Sequence, residues 1–168
     1  MNKNETYQQT AWRLSDLFTG FDDPNIAKTY QLLEEMVSKF EEYRDSLTPG
    51  IDTSLFMDIV KGMEAIQKLG TRIGGFAELA FAADTQDQKA QIAIAQFEQF
   101  AAEMSNRTLF FNLWWKALDD TNSERLMSSS GDYRYWLQQM RNFKQFTLSE
   151  LEEKVINIKN VSGVSALN

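Results

Sequence analysis

The chain has no histidine and no cysteine among its 168 residues. Those two absences exclude the usual zinc, copper and haem ligand sets. They also exclude a Ser-His-Asp triad, a Cys-His pair and any imidazole proton shuttle. Proline and glycine are scarce, at 2 and 8 residues. No apolar run approaches the ~20 residues needed to span a bilayer as a helix, so no membrane contact is expected. The N-terminus, from Met1 to Glu5, is polar and carries no apolar signal segment, and the expected location is the cytoplasm.

Positive charge is also in short supply. The chain has 17 basic and 24 acidic residues, a net charge of −7 and a pI near 4.7. Nucleic acid and anionic lipid both need positive charge, so neither is an expected partner. The imbalance sits in residues 1–120, with 11 basic and 19 acidic residues, against 6 and 5 in residues 121–168.

What the chain does have is apolar residues at helical spacing. The hydrophobic fraction is 43% and aromatics reach 12%, enough for a self-sufficient core in one domain. Residues 1–21 are a polar lead followed by Trp12, Leu14, Leu17, Phe18 and Phe21, a segment expected to dock on the body. A first helix is expected from Asp22-Asp23-Pro24, with Ile26, Tyr30, Leu33, Val37, Phe40 and Leu47 on one face. Thr48-Pro49-Gly50 ends it. A second begins near Asp52 or Thr53 and runs through Leu55, Ile59, Met63, Ile66, Leu69, Ile73, Phe76 and Ala80. Its Gly62, Gly70, Gly74 and Gly75 each cost about 1 kcal/mol relative to Ala. Close approach of a neighbouring helix, or a bend near Gly74-Gly75, would offset that.

Asp84-Thr85 break the pattern, and Thr85 is the expected N-cap of the third helix. There Ala90, Ile94, Phe97, Ala101, Met104, Thr108, Phe111, Trp115 and Leu118 repeat by fours and threes, a period that favours near-parallel packing. The expected fold is all-α: three long antiparallel helices in a coiled-coil-like bundle, plus shorter C-terminal helices. The bundle would occupy 22–121, with Asp119 to Ser123 as its closing loop, and the shorter helices 122–168. Among these, 132–143 form an aromatic helix after Ser128-Ser129-Ser130-Gly131. Ser149 with Glu152 forms a capping box that opens the last helix.

No constellation carries chemistry, and the chain offers no candidate catalytic, cofactor-binding or metal-ligating residue. The acidic doublets (Asp22-Asp23, Glu34-Glu35, Glu41-Glu42, Asp119-Asp120, Glu152-Glu153) suit solvated faces and N-caps, because adjacent helical residues point about 100° apart. Trp114-Trp115, with Leu109, Phe110 and Phe111, suits core packing against the C-terminal third or a partner surface. Tyr133-Arg134-Tyr135-Trp136 with Arg141 suits cation–π packing or an interdomain face.

The C-terminal residues carry a resemblance. Residues 133–143 and 148–168, together with Trp12-Arg13-Leu14-Ser15-Asp16-Leu17-Phe18, resemble the N-terminal region of oligoendopeptidase F-like zinc metallopeptidases, relatives of thimet oligopeptidase. Asp84-Thr85 and Asn106 to Phe111 are similar to further segments of that family. The resemblance implies a His-Glu-x-x-His helix downstream of such a segment. Two histidines and a further glutamate there would hold zinc, and the motif glutamate would activate water. None of those residues maps onto this chain. The implied role is an N-terminal helical domain leading toward an absent catalytic domain, its natural partner. It would wall a channel that admits short peptides, the substrates of the full-length enzyme. The alternative is a non-catalytic helical protein–protein interaction module using the aromatic face around Trp114 and 133–136.

Overall fold

The computed structural model describes residues 13–162. Six α-helices make up the fold, and no strand occurs among the described residues. They are α1 (Pro24–Glu41), α2 (Thr53–Ala83), α3 (Gln88–Ala117), α4 (Asp120–Ser128), α5 (Arg134–Asn142) and α6 (Glu150–Ser162). Short 3-10 turns lie at Arg44–Ser46, Gly131–Tyr133 and Lys144–Phe146.

Aspartate starts four of these helices. Asp23, Asp52, Asp87 and Asp119 each sit in extended backbone, and each accepts a backbone N–H from the first turn that follows. The expected starts of α1 and α2 hold, with Pro24 in the first turn of α1. Three expectations need correction. Thr85 is not the N-cap of α3. Asp84 closes α2 and its carboxylate accepts the Gln86 N–H, which leaves Asp87 to cap α3 two residues later than expected. Asp119 to Ser123 are not a loop, because Asp119 caps α4 there. Polar residues suit a helix's first turn as well as a loop, so composition did not separate the two. Finally, α1 ends at Glu41 and not near Leu47, the chain continuing through the Arg44–Ser46 turn.

One core joins α1 to α5 and the segment before α1. Phe40, Phe56, Phe111 and Trp115 are fully or almost fully buried, with Leu33, Val37, Ile59 and Val60 around them. Phe56 stacks near Trp115 at 5.2 Å between centroids and Phe40 near Phe111 at 6.0 Å. Tyr30 meets Phe100 edge-on at 4.8 Å. Contacting residues therefore rise together along α1 and α3. Along α2 and α3 they move oppositely, since Phe56 meets Trp115 and Gly74 meets Phe97.

Gly74 shows why a glycine stands inside α2. A Cβ there would overlap the edge of the Phe97 ring, whose Cζ lies 2.7 Å from the position it would take. Close helix approach thus accounts for Gly74. It does not account for Gly70 or Gly75, where a Cβ meets nothing within 4 Å.

The segment before α1 packs on α2. Phe18 is buried, its ring 5.4 Å from that of Phe76, and Arg72 donates to the Leu17 carbonyl at 2.8 Å while covering the Phe18 ring. Trp12 lies outside the described residues.

Candidate docking surface

The C-terminal third is latched to the bundle by two side chains. Trp115 is fully buried, and its indole N–H donates to the Leu137 carbonyl at 2.9 Å. Arg141 returns the contact. One guanidinium nitrogen donates to the Trp115 carbonyl at 2.8 Å and the other to the Asp120 carboxylate at 2.7 Å. The Trp115 carbonyl lies in the last turn of α3, where backbone acceptors lack helical partners. Trp115 is thus core packing against the C-terminal third, and Arg141 lies 5.6 Å from its ring centroid. Arg134 instead pairs with Glu124, and Tyr135 points largely to solvent.

The acidic doublets do more than face water. Glu34 and Glu41 belong to different doublets yet both grip Arg107 of α3, in bonds of 2.5 and 2.6 Å. These bonds raise the Arg107 pKa further and lower that of Glu41, chiefly through the Glu41–Arg107 hydrogen bond. The seven-residue spacing puts both carboxylates on one face of α1, a relation the doublet reading overlooked.

Helix α6 is attached by polar groups. Its capping box forms as expected, with the Glu152 carboxylate accepting from the Ser149 N–H at 2.9 Å and from its hydroxyl. Arg44 donates both guanidinium nitrogens to Glu150, at 3.1 and 3.3 Å, and Lys154 adds a bridge of 2.8 Å. The Arg44 bond, then that of Lys154, lowers the Glu150 pKa to about 2. Asn157 donates to Asn106 of α3 at 2.8 Å.

The half-buried side of α6 thus carries Glu150, Glu153, Lys154 and Asn157, and Leu151, Val155, Ile156 and Ile158 face outward. Leu151 is 74% exposed, Val155 56% and Ile158 61%. Phe143, Phe146 and Leu148, in the connection ahead of α6, are exposed as well. A surface helix normally buries its apolar stripe, and α6 does the reverse. Exposed apolar residues at this density make α6 a candidate interaction surface.

No group of three or more Asp and Glu residues that could hold a metal ion occurs among the described residues. No helix there is long and apolar enough to cross a membrane. Sequence reasoning named no site residues. It also missed the outward stripe of α6, for which the signal was present: Leu151, Val155 and Ile158 at helical spacing.

Comparison with known proteins bears on the same part of the chain. Residues 114–168 match the family model described as Oligopeptidase F, the N-terminal model of the M3 peptidases. The match begins in the last turn of α3 and covers α4, α5 and α6. It is consistent with an N-terminal domain of an oligoendopeptidase F-like protein. No curated protein and no solved structure matches the chain.

Proposed function

We propose that this chain is the N-terminal helical domain of a zinc-dependent oligoendopeptidase that hydrolyses short peptides. The domain forms part of the wall of the substrate channel and is inactive alone. The observation that carries this reading is the match of residues 114–168 to the Oligopeptidase F model. The outward apolar stripe of α6 supports it, because the stripe falls within the matched segment. Its occupant in this reading is the catalytic part of the same polypeptide.

Zinc does not fit the residues of this chain. There is no histidine or cysteine, and the carboxylates that converge, Glu34 and Glu41, are held by Arg107. The metal and its activated water would belong to the catalytic part, with oligopeptides as substrates and the cytoplasm as location. The purified chain should leave a quenched fluorescent oligopeptide uncut, with or without added zinc. The reading frame beyond the Asn168 codon should encode His-Glu-x-x-His, and a stop codon at that point sinks the proposal. In that event the same stripe favours the second reading, a non-catalytic interaction module.

A further inference from the structure

A cavity of about 420 Å³ opens between α2 and the Gly131–Tyr133 turn, and no residue of α6 lines it. Val60, Glu64, Gln67, Asp132, Tyr133 and Trp136 line it. The Tyr133 hydroxyl donates to one Glu64 oxygen at 2.7 Å, and the Lys68 ammonium holds the other at 2.8 Å. That fixes the Tyr133 ring as a wall and offsets the Glu64 charge with that of Lys68.

Of the remaining polar groups, Asp132 and Gln67 are solvent-exposed and Trp136 is half-buried. Asp132, the Gln67 amide and the Trp136 indole N–H make no hydrogen bond or ion pair among the described residues. The cavity therefore combines two aromatic side chains, one exposed carboxylate at its rim and one amide that can donate and accept. Aromatic rings beside a carboxylate favour a compact cation over an anion or a neutral group. Lys68 neutralises Glu64, which leaves Asp132 as the unpaired charge among the lining residues.

We propose that this cavity binds the primary ammonium group of a peptide, from a lysine side chain or an N-terminus. The Asp132 carboxylate and the Tyr133 and Trp136 rings meet the ammonium, and the Gln67 amide meets the adjacent peptide group. The proposal stands apart from the peptidase reading, since it uses neither the outward stripe nor a catalytic domain.

The test is an NMR titration of the ¹⁵N-labelled chain, following the indole N–H of Trp136. The probes are Nα-acetyl-lysine methylamide, its Nε-acetylated counterpart and glycinamide. The expected result is a saturable shift with the lysine probe and at least a fivefold weaker response to the Nε-acetylated one. A response to glycinamide extends the site to N-termini, and its absence confines the site to lysine side chains. Asp132→Asn should weaken the lysine probe at least fivefold without moving the thermal midpoint. Should the midpoint move, Gln67→Leu, which has no hydrogen bond to lose, is expected to weaken binding in the same way. Equal responses to the charged and acetylated probes would overturn the proposal. So would an Asp132→Asn chain that binds as the parent does and a Gln67→Leu chain that binds undiminished.

Discussion

Arg141 caps the carbonyl of Trp115 at 2.8 Å while Trp115 reaches past it to the carbonyl of Leu137 at 2.9 Å. These two residues hold α5 against the end of α3. Only 7% of the Arg141 side chain is exposed, so its bond to the Trp115 carbonyl forms out of water, while its partner Asp120 is exposed. Arg141→Met keeps the apolar stem but leaves the Trp115 carbonyl without this donor. Such bonds contribute about 1.5–3 kcal/mol each when one partner is charged. The expected loss is about 2 kcal/mol, measured by urea unfolding. An unchanged midpoint contradicts the latch.

The glycines of α2 separate two effects that sequence alone merges. Gly70 has open space where a Cβ would go, and Gly74 has the Phe97 ring. Gly70→Ala should therefore gain about 0.5–1 kcal/mol from helix propensity. Gly74→Ala should lose that gain, because the Phe97 side chain has to move aside. Thermal midpoints of the two variants, measured together, check the contrast.

Much of the architecture was legible in the sequence, for physical reasons that single residues show. The Asp23-Pro24 and Asp52 starts were visible because N-cap chemistry is local. The Ala90-to-Leu118 repeat was visible because burial follows helical period, although Ile94, Phe97 and Ala101 on that stripe are only half-buried. The α4 helix was hidden because Asp-Thr-Asn-Ser suits a loop and a first turn equally. The Arg107 grip on Glu34 and Glu41 was hidden because it joins residues more than 60 positions apart. The aromatic cavity was hidden for the same reason. Glu64 and Tyr133 come together only when the Gly131–Tyr133 turn folds back on α2.

The attachment of α6 should weaken in acid. Glu150 titrates near 2 in the folded chain, against an ordinary value of 4.5, because Arg44 and Lys154 hold its charged form. A lowered folded pKa contributes stability that is complete above the unfolded value. That stability is lost as pH falls from about 4.5 toward 2. The Cα chemical shifts of α6 should stay helical at pH 6 and move toward coil values across that window. Arg44→Gln should bring part of the loss to neutral pH. Identical pH profiles for the two chains would contradict the clasp.

The outward stripe predicts a substitution with no cost in the isolated chain. Leu151 and Val155 bury little there, so Leu151→Glu and Val155→Glu should each change its stability by under about 0.5 kcal/mol. In a protein that carries the catalytic part, the same changes should lower peptide-hydrolysing activity or the thermal midpoint. Differential scanning calorimetry on both forms makes the comparison.

The most direct measurement is peptide cleavage by the protein translated from the whole natural reading frame. A quenched fluorescent oligopeptide is offered with no addition, with a chelator, and with zinc restored. The expected result is cleavage that the chelator abolishes and zinc recovers, while the 168-residue chain alone stays inactive. Absence of cleavage, or cleavage indifferent to the chelator, would contradict the assignment of this domain to a zinc oligoendopeptidase.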